Sequence, residues 1–178
     1  GVGKGAQSGI LIKSAEALEK MDKLDVLIID KTGTITAGKP SVDKIVSFDQ
    51  DENSMLASIA SLSQNSEHPL ALSFLEYSKS KNITLSEVAD FNSISGKGVT
   101  GVVDRVNVAF GNKKLMDQFN INSPEDAENR IKEEQKLGKT VSYISMNGML
   151  KGYISIMDPI KKTSKKSIQD LMDQGIEV

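Results

Sequence analysis

Val26-Leu27-Ile28-Ile29-Asp30-Lys31-Thr32-Gly33-Thr34 joins a continuous apolar run to an acid, and then to a lysine, a glycine and two hydroxyls. An unbroken apolar run closed by an acid predicts a buried parallel strand over Asp25 to Asp30, and ligands of open α/β sheets collect beyond the carboxyl ends of such strands. Asp30 is therefore the leading candidate for chemistry. The residues after it suit a phosphate held against a carboxylate while a divalent cation offsets the charge. Asp and Gly are also ordinary turn residues, and a lone Asp here would more simply end the strand. The whole string from Asp30 to Thr34 moves the reading toward acceptance of a phosphoryl group.

The 178 residues suffice to bury a core and to form one or two domains. With 22 basic and 24 acidic side chains, no strong field draws the chain to nucleic acid or anionic lipid. There is no cysteine, which excludes disulfides and thiolate metal sites and fits a reducing compartment. No apolar run approaches the roughly 18 residues of a membrane span. The chain opens on Gly1 rather than Met and stops at Ile176-Glu177-Val178, which looks like a strand just starting, so a piece of something longer is expected.

Downstream, helix and strand signals alternate. Ser14 caps a short helix to Met21, and after Ala37-Gly38-Lys39-Pro40 the stretch Val42 to Phe48 reads as a second strand. Asn53 to Ser63 and Pro69 to Lys79 read as helices, the latter with Pro69 in its first turn and Leu70, Phe74, Leu75 and Tyr77 available for packing. Glu87 to Phe110 reads as strands turning at Gly96 and near Asp104, followed by helices Lys113 to Phe119 and Glu125 to Leu137. Thr140 to Met146, Asn147-Gly148 and Met149 to Met157 form the clearest hairpin, because both central positions of a type I′ turn need positive φ. A helix over Thr163 to Gln174 carries Ile168, Leu171 and Met172 on one face, ends at Gly175, and returns through Ile176 to the sheet that holds Asp30. The fold class is α/β with an insertion. Residues 1–39 and 158–178 form parts of a parallel-sheet domain, and 40–157 an inserted α+β domain built on an antiparallel sheet.

Two further clusters carry ligand chemistry. Ser66-Glu67-His68-Pro69-Leu70-Ala71 holds the sole histidine, which before a proline-started helix is more often a cap or surface group than a ligand contact. Gly96-Lys97-Gly98-Val99-Thr100-Gly101 matches GxGxxG, but a dinucleotide fingerprint opens a helix, whereas Val102 to Phe110 continues as strand. That reading is rejected. Two glycines that let a ligand ring approach the backbone, or that merely turn a strand, remain equally open.

In order and spacing these elements resemble the P-type ATPases, and among them the heavy-metal-transporting branch. Their phosphorylated aspartate lies in the string matched by Asp30 to Thr34, and their Ser-Glu-His-Pro-Leu motif matches Ser66 to Leu70. A Gly-x-Gly step and a Gly-Asn pair match Gly96 with Gly98 and Gly111 with Asn112. The likeness extends from the stretch Gly5 to Lys13, through Glu16-Ala17-Leu18-Glu19, to Asp158-Pro159-Ile160-Lys161, which resembles a hinge; the early stretch is most similar to copper-transporting members.

The resemblance implies a haloacid-dehalogenase-like phosphorylation domain, incomplete here, with an inserted nucleotide-binding domain. It implies ATP as substrate and Mg²⁺ as cofactor, with Asp30 as the phosphorylated residue and Lys31, Thr32 and Thr34 beside it in catalysis. Asp30 and the Thr32 carbonyl would hold Mg²⁺ in an incomplete site. His68 would orient the adenine in a pocket lined by Gly96, Gly98, Gly111 and Asn112. The implied partner is the remainder of the same polypeptide, with its membrane, actuator and phosphorylation domains. The transported ion, copper by analogy with silver, zinc and cadmium open, would bind outside these residues, and the chain would be a cytoplasmic part of an integral membrane protein. A Thr-Gly-Asp segment, a phosphate-neutralising lysine and a later acidic cluster are expected beyond Val178, so the chain is expected to bind nucleotide yet phosphorylate itself poorly.

Two departures matter. The family usually has a glutamate near the adenine amino group where this chain has Ser63, so weaker or less selective adenine binding is expected unless Gln64 or Glu67 substitutes. In related phosphatases a second aspartate lies two residues after the first and works as general acid and base; Thr32 stands there, which favours a long-lived aspartyl phosphate. The competing readings are a soluble haloacid-dehalogenase-type phosphatase or phosphotransferase, and a nucleotide-binding or regulatory module without catalytic duty.

Overall fold

A computed structural model describes the chain apart from Gly1, Ser8, Asp22, Asp49 and Gln50 and the side chains of Val2, Lys4, Ala15 and Leu18. Ser8, in the stretch likened to copper transporters, thus lies outside the described residues. In chain order the elements are α1 (Val2–Gln7), α2 (Ala15–Met21), β1 (Ser41–Ser47), α3 (Glu52–Ser63), α4 (Ala71–Ser80), β2 (Val88–Ile94), β3 (Gly98–Val103), β4 (Val106–Gly111), α5 (Lys113–Gln118), α6 (Glu125–Lys136), β5 (Thr140–Met146), β6 (Met149–Met157) and α7 (Ser164–Asp173). They fall into two compact units, residues 38–159 and residues 1–37 with 160–178. Among the described residues no helix is long and apolar enough to cross a membrane.

The larger unit is a six-stranded antiparallel sheet in the order β1-β6-β5-β4-β3-β2. Its strands alternate between two cores. Val141 and Tyr143 of β5 and Tyr153 of β6 face α5 and α6, packing with Leu115, Met116 and Ile131. Ile144, Met146, Ile154 and Ile156 face the other way, onto Met55, Leu56, Ile59 and Leu62 of α3 and Phe74 of α4. Each such buried apolar side chain stabilises the fold by about 1.5–3 kcal/mol, so both faces of the sheet need their helices. In β1 the register shifts between Val42 and Lys44, which lets Val42 and Ile45 reach the same core despite odd spacing. The Asn147-Gly148 turn has φ of 47° and 76°, as its hairpin reading requires, and Asn147 Oδ1 accepts from the Asn107 amide at 3.0 Å.

An ion-pair cluster ties β1 to α6 and the turn before β5. Lys139 Nζ donates to Asp43 Oδ2 and Glu134 Oε2, each at 2.7 Å, and Lys44 Nζ reaches Glu134 Oε1 at 3.3 Å. The bonds from Lys139 hold both carboxyls below the usual carboxylate range. A carboxyl depressed in the folded state stabilises the fold above its unfolded value of about 4, and that contribution is lost as pH falls through the lower folded value. The urea midpoint is therefore expected to drop between about pH 5 and pH 3, and to drop less steeply in Lys139→Ala. Parallel pH profiles for the two proteins would contradict this coupling.

In the smaller unit the chain after α7 returns alongside the apolar run, as the sequence implies. Leu27 donates its amide to Glu177 O at 2.7 Å and Glu177 to Asp25 O at 2.8 Å, a parallel bridge between Val26 and Glu177. The expected buried strand over Asp25 to Asp30 is not realised, however. The run is extended, this is its one bridge among the described residues, and Ile28 is 94% exposed. A parallel strand is buried by neighbours at both edges and layers on both faces, and this one has a single short partner. Ser14 Oγ accepts from the Ala17 amide at 3.3 Å, in keeping with its reading as the cap of α2.

Candidate active site

Asp30 ends the apolar run in extended conformation (φ −68°, ψ 142°), and Lys31–Ile35 then make a wide turn in which Thr32 stays extended and Gly33 has φ 77°. Buried Thr36 closes this turn from within. Its amide donates to Lys31 O at 3.1 Å, its hydroxyl donates to the same carbonyl at 3.2 Å, and that hydroxyl accepts from the Gly33 amide at 2.9 Å. Lys161 and Ser164 brace it from the far end of the sequence. Lys161 Nζ donates to Gly33 O at 3.0 Å, the Lys161 amide to Ile35 O at 3.0 Å, and Ser164 Oγ to Ile35 O at 2.7 Å. With the backbone so tied, Asp30, Lys31, Thr32 and Thr34 stand exposed, and the Asp30 carboxylate makes no capping bond to the turn. The bracing residues carry no signal in local sequence, since they lie more than a hundred positions away.

Asp30 and the Thr32 carbonyl are hard oxygen donors of the kind Mg²⁺ takes. No group of three or more His, Cys, Asp or Glu side chains that could hold a metal occurs among the described residues.

In the larger unit, His68, Gly96, Gly98, Gly111 and Asn112 all line one cleft of about 520 Å³, a size typical of small-molecule sites. Phe74 and Phe110 also line it, packed edge to face at 5.0 Å and 82°. His68 sits on a turn rather than in the helix. The Ala71 amide donates to His68 O at 2.8 Å and the Leu70 amide to His68 Nδ1 at 3.2 Å, so α4 starts after Leu70, later than the proline alone suggested. With Nδ1 accepting, the neutral ring carries its proton on Nε2.

The glycines divide by cause. Gly96 has φ 68° and open space where a Cβ would stand, so the backbone there can be approached closely. Gly98 and Gly111 oppose each other across β3 and β4, and a Cβ on Gly98 would lie 2.3 Å from Phe110 O. A side chain at either position would obstruct strand pairing, and both glycines also line the cleft. Asn112 clamps this corner, its Nδ2 donating to Gly96 O at 2.8 Å while its Oδ1 caps α5 by accepting from the Leu115 amide at 3.2 Å.

Ser63 lines the cleft at 3% exposure, with its hydroxyl proton given to Ile59 O at 2.7 Å, which leaves it only as an acceptor. Of the two possible substitutes for a glutamate there, Glu67 lines the cleft, whereas Gln64 turns its amide to Ser61 O and Ser86 O, both at 3.4 Å. Sequence reading had no means to separate these neighbours.

Residues 24–178 match the family model described as haloacid dehalogenase-like hydrolase. The whole chain is 42% identical over 178 residues to the copper-exporting P-type ATPase of Legionella pneumophila and 40% identical over 180 residues to the silver exporting P-type ATPase of Salmonella typhimurium. It spans 24% and 22% of those proteins' lengths. A solved zinc-transporting PIB-type ATPase matches with a TM-score of 0.85 and 26% identity, over 99% of this chain and 28% of that one.

Proposed function

Because the chain belongs to the haloacid dehalogenase-like hydrolases and corresponds end to end to a segment of heavy-metal P-type ATPases, we propose that it supplies the ATP-binding and phosphoryl-accepting parts of a metal-exporting pump. The observation that supports this reading best is the convergence of His68, Gly96, Gly98, Gly111 and Asn112, drawn from three separate stretches, on one cleft. In this reading the adenine lies beside His68, and Asp30 accepts the γ-phosphoryl group. A carboxylate oxygen of Asp30 forms the new O–P bond as the bond to the β–γ bridging oxygen breaks and ADP leaves. Mg²⁺, when bound, neutralises phosphate oxygens, with Asp30 and the Thr32 carbonyl among its donors. The bonds from Thr36, Lys161 and Ser164 keep the acceptor turn in one shape before the nucleotide arrives. Thr32 cannot serve as a general base near neutral pH, so the aspartyl phosphate outlives the transfer and can drive a conformational cycle.

The parent protein is proposed to be an integral membrane ATPase with this segment on its cytoplasmic side, exporting Cu⁺, with Ag⁺ as the competing ion. An amide-resolved NMR titration of this chain with ATP tests the nucleotide part. Shifts concentrated at His68, Gly96 and Gly111 are expected, and a spectrum indifferent to ATP would refute it.

A further inference from the structure

Among the described residues that line the cleft are one lysine and one carboxylate from different segments, Lys97 on the β2–β3 turn and Glu67 before α4. Among the described residues no carboxylate lies within ion-pair distance of Lys97. Its ammonium instead donates to a neutral acceptor, Gln118 Oε1 of α5, at 2.7 Å. The backbone beneath it is fixed, with the Lys97 amide donating to Ile94 O at 3.0 Å and the Asn112 amide to Lys97 O at 2.8 Å. A rigid turn thus presents a long, flexible, uncompensated cation at the edge of a cleft, held by a partner it can exchange. A phosphate oxygen is the stronger acceptor, because charge-assisted hydrogen bonds are roughly twice as strong as those to neutral groups.

Resting on the reading of this cleft as an ATP site, we propose that Lys97 leaves Gln118 when nucleotide enters and takes the phosphate chain. The cleft then selects nucleotides over nucleosides by charge, and the ligand has a direction, with its base toward His68 and Glu67 and its phosphates toward the β2–β3 turn.

Calorimetric titration of the 178-residue chain with ATP and with adenosine tests this. Lys97→Gln is expected to weaken ATP about tenfold while changing adenosine by less than about twofold, and Lys97→Arg to retain most of the ATP affinity. Gln118→Ala, which removes the resting partner, is expected to bind ATP at least as tightly as the parent chain. Binding of ATP that is equal in Lys97→Gln and the parent chain overturns the role of Lys97 and leaves the ATP site standing. Equal losses for ATP and adenosine mark damage to the cleft and likewise overturn it. A parent chain that binds neither ligand refutes the ATP site, and the inference with it.

Discussion

Gly98→Ala is expected to lower the stability of the larger unit by roughly 3 kcal/mol or more, read as a large fall in the urea midpoint. The added Cβ would stand 2.3 Å from Phe110 O and 2.5 Å from Gly111 Cα, and the residue has φ 147°, where L side chains are strained. Both obstructing atoms belong to backbone, so no side chain can swing aside, and β3 would have to part from β4 beside the core residue Phe110. Gly111→Ala meets the same obstacle from the other strand, with Lys97 O at 2.2 Å and Gly98 Cα at 2.8 Å. Gly96→Ala is the control. It has φ 68° and nothing within 4 Å of its Cβ, so only the left-handed conformation costs, about 1–2 kcal/mol. Small and equal losses at all three positions would mean that the sheet end yields freely and that close strand approach is not what these glycines serve.

Asp30→Asn is expected to abolish phosphorylation of the full-length pump outright, while leaving the ATP affinity of this chain within about twofold of the parent. The carboxamide preserves shape and removes the anionic nucleophile. It should also fold, because the Asp30 side chain is exposed and caps nothing. Among the described residues, those lining the cleft fall between Ser63 and Ser142 and belong to the other compact unit, so the binding and transfer readouts are separable. The measurement is hydroxylamine-sensitive label from γ-labelled ATP, set beside a titration of the same variant. Undiminished label in Asp30→Asn would place the acceptor elsewhere. The unsubstituted 178-residue chain is expected to label poorly even though it binds nucleotide.

Much of the larger unit was legible because its signals are local. The Asn-Gly turn dictates its own φ values, α3, α5 and α6 begin and end within a residue or two of the expected positions, and β2 to β4 turn where Gly96 and Asp104 indicate. α4 likewise begins two residues after Pro69, past a turn in which His68 Nδ1 accepts from the Leu70 amide. The apolar run before Asp30 misled. Its composition records burial by neighbouring strands and layers, and the described residues supply one short partner.

What the sequence determined by itself is the chemistry on offer: an acid followed by hydroxyls, one imidazole, and glycines in a set order, since residue identity and near-neighbour turns follow from covalent spacing. Only the tertiary structure decided which of these groups meet, and why. It gathers three distant stretches into one cleft, assigns Gly98 and Gly111 to each other, turns Gln64 away while Glu67 stays, and braces the Asp30 turn with Lys161 and Ser164. Those outcomes depend on hydrogen bonds and van der Waals contacts between residues remote in sequence, and such contacts exist only once each unit has folded.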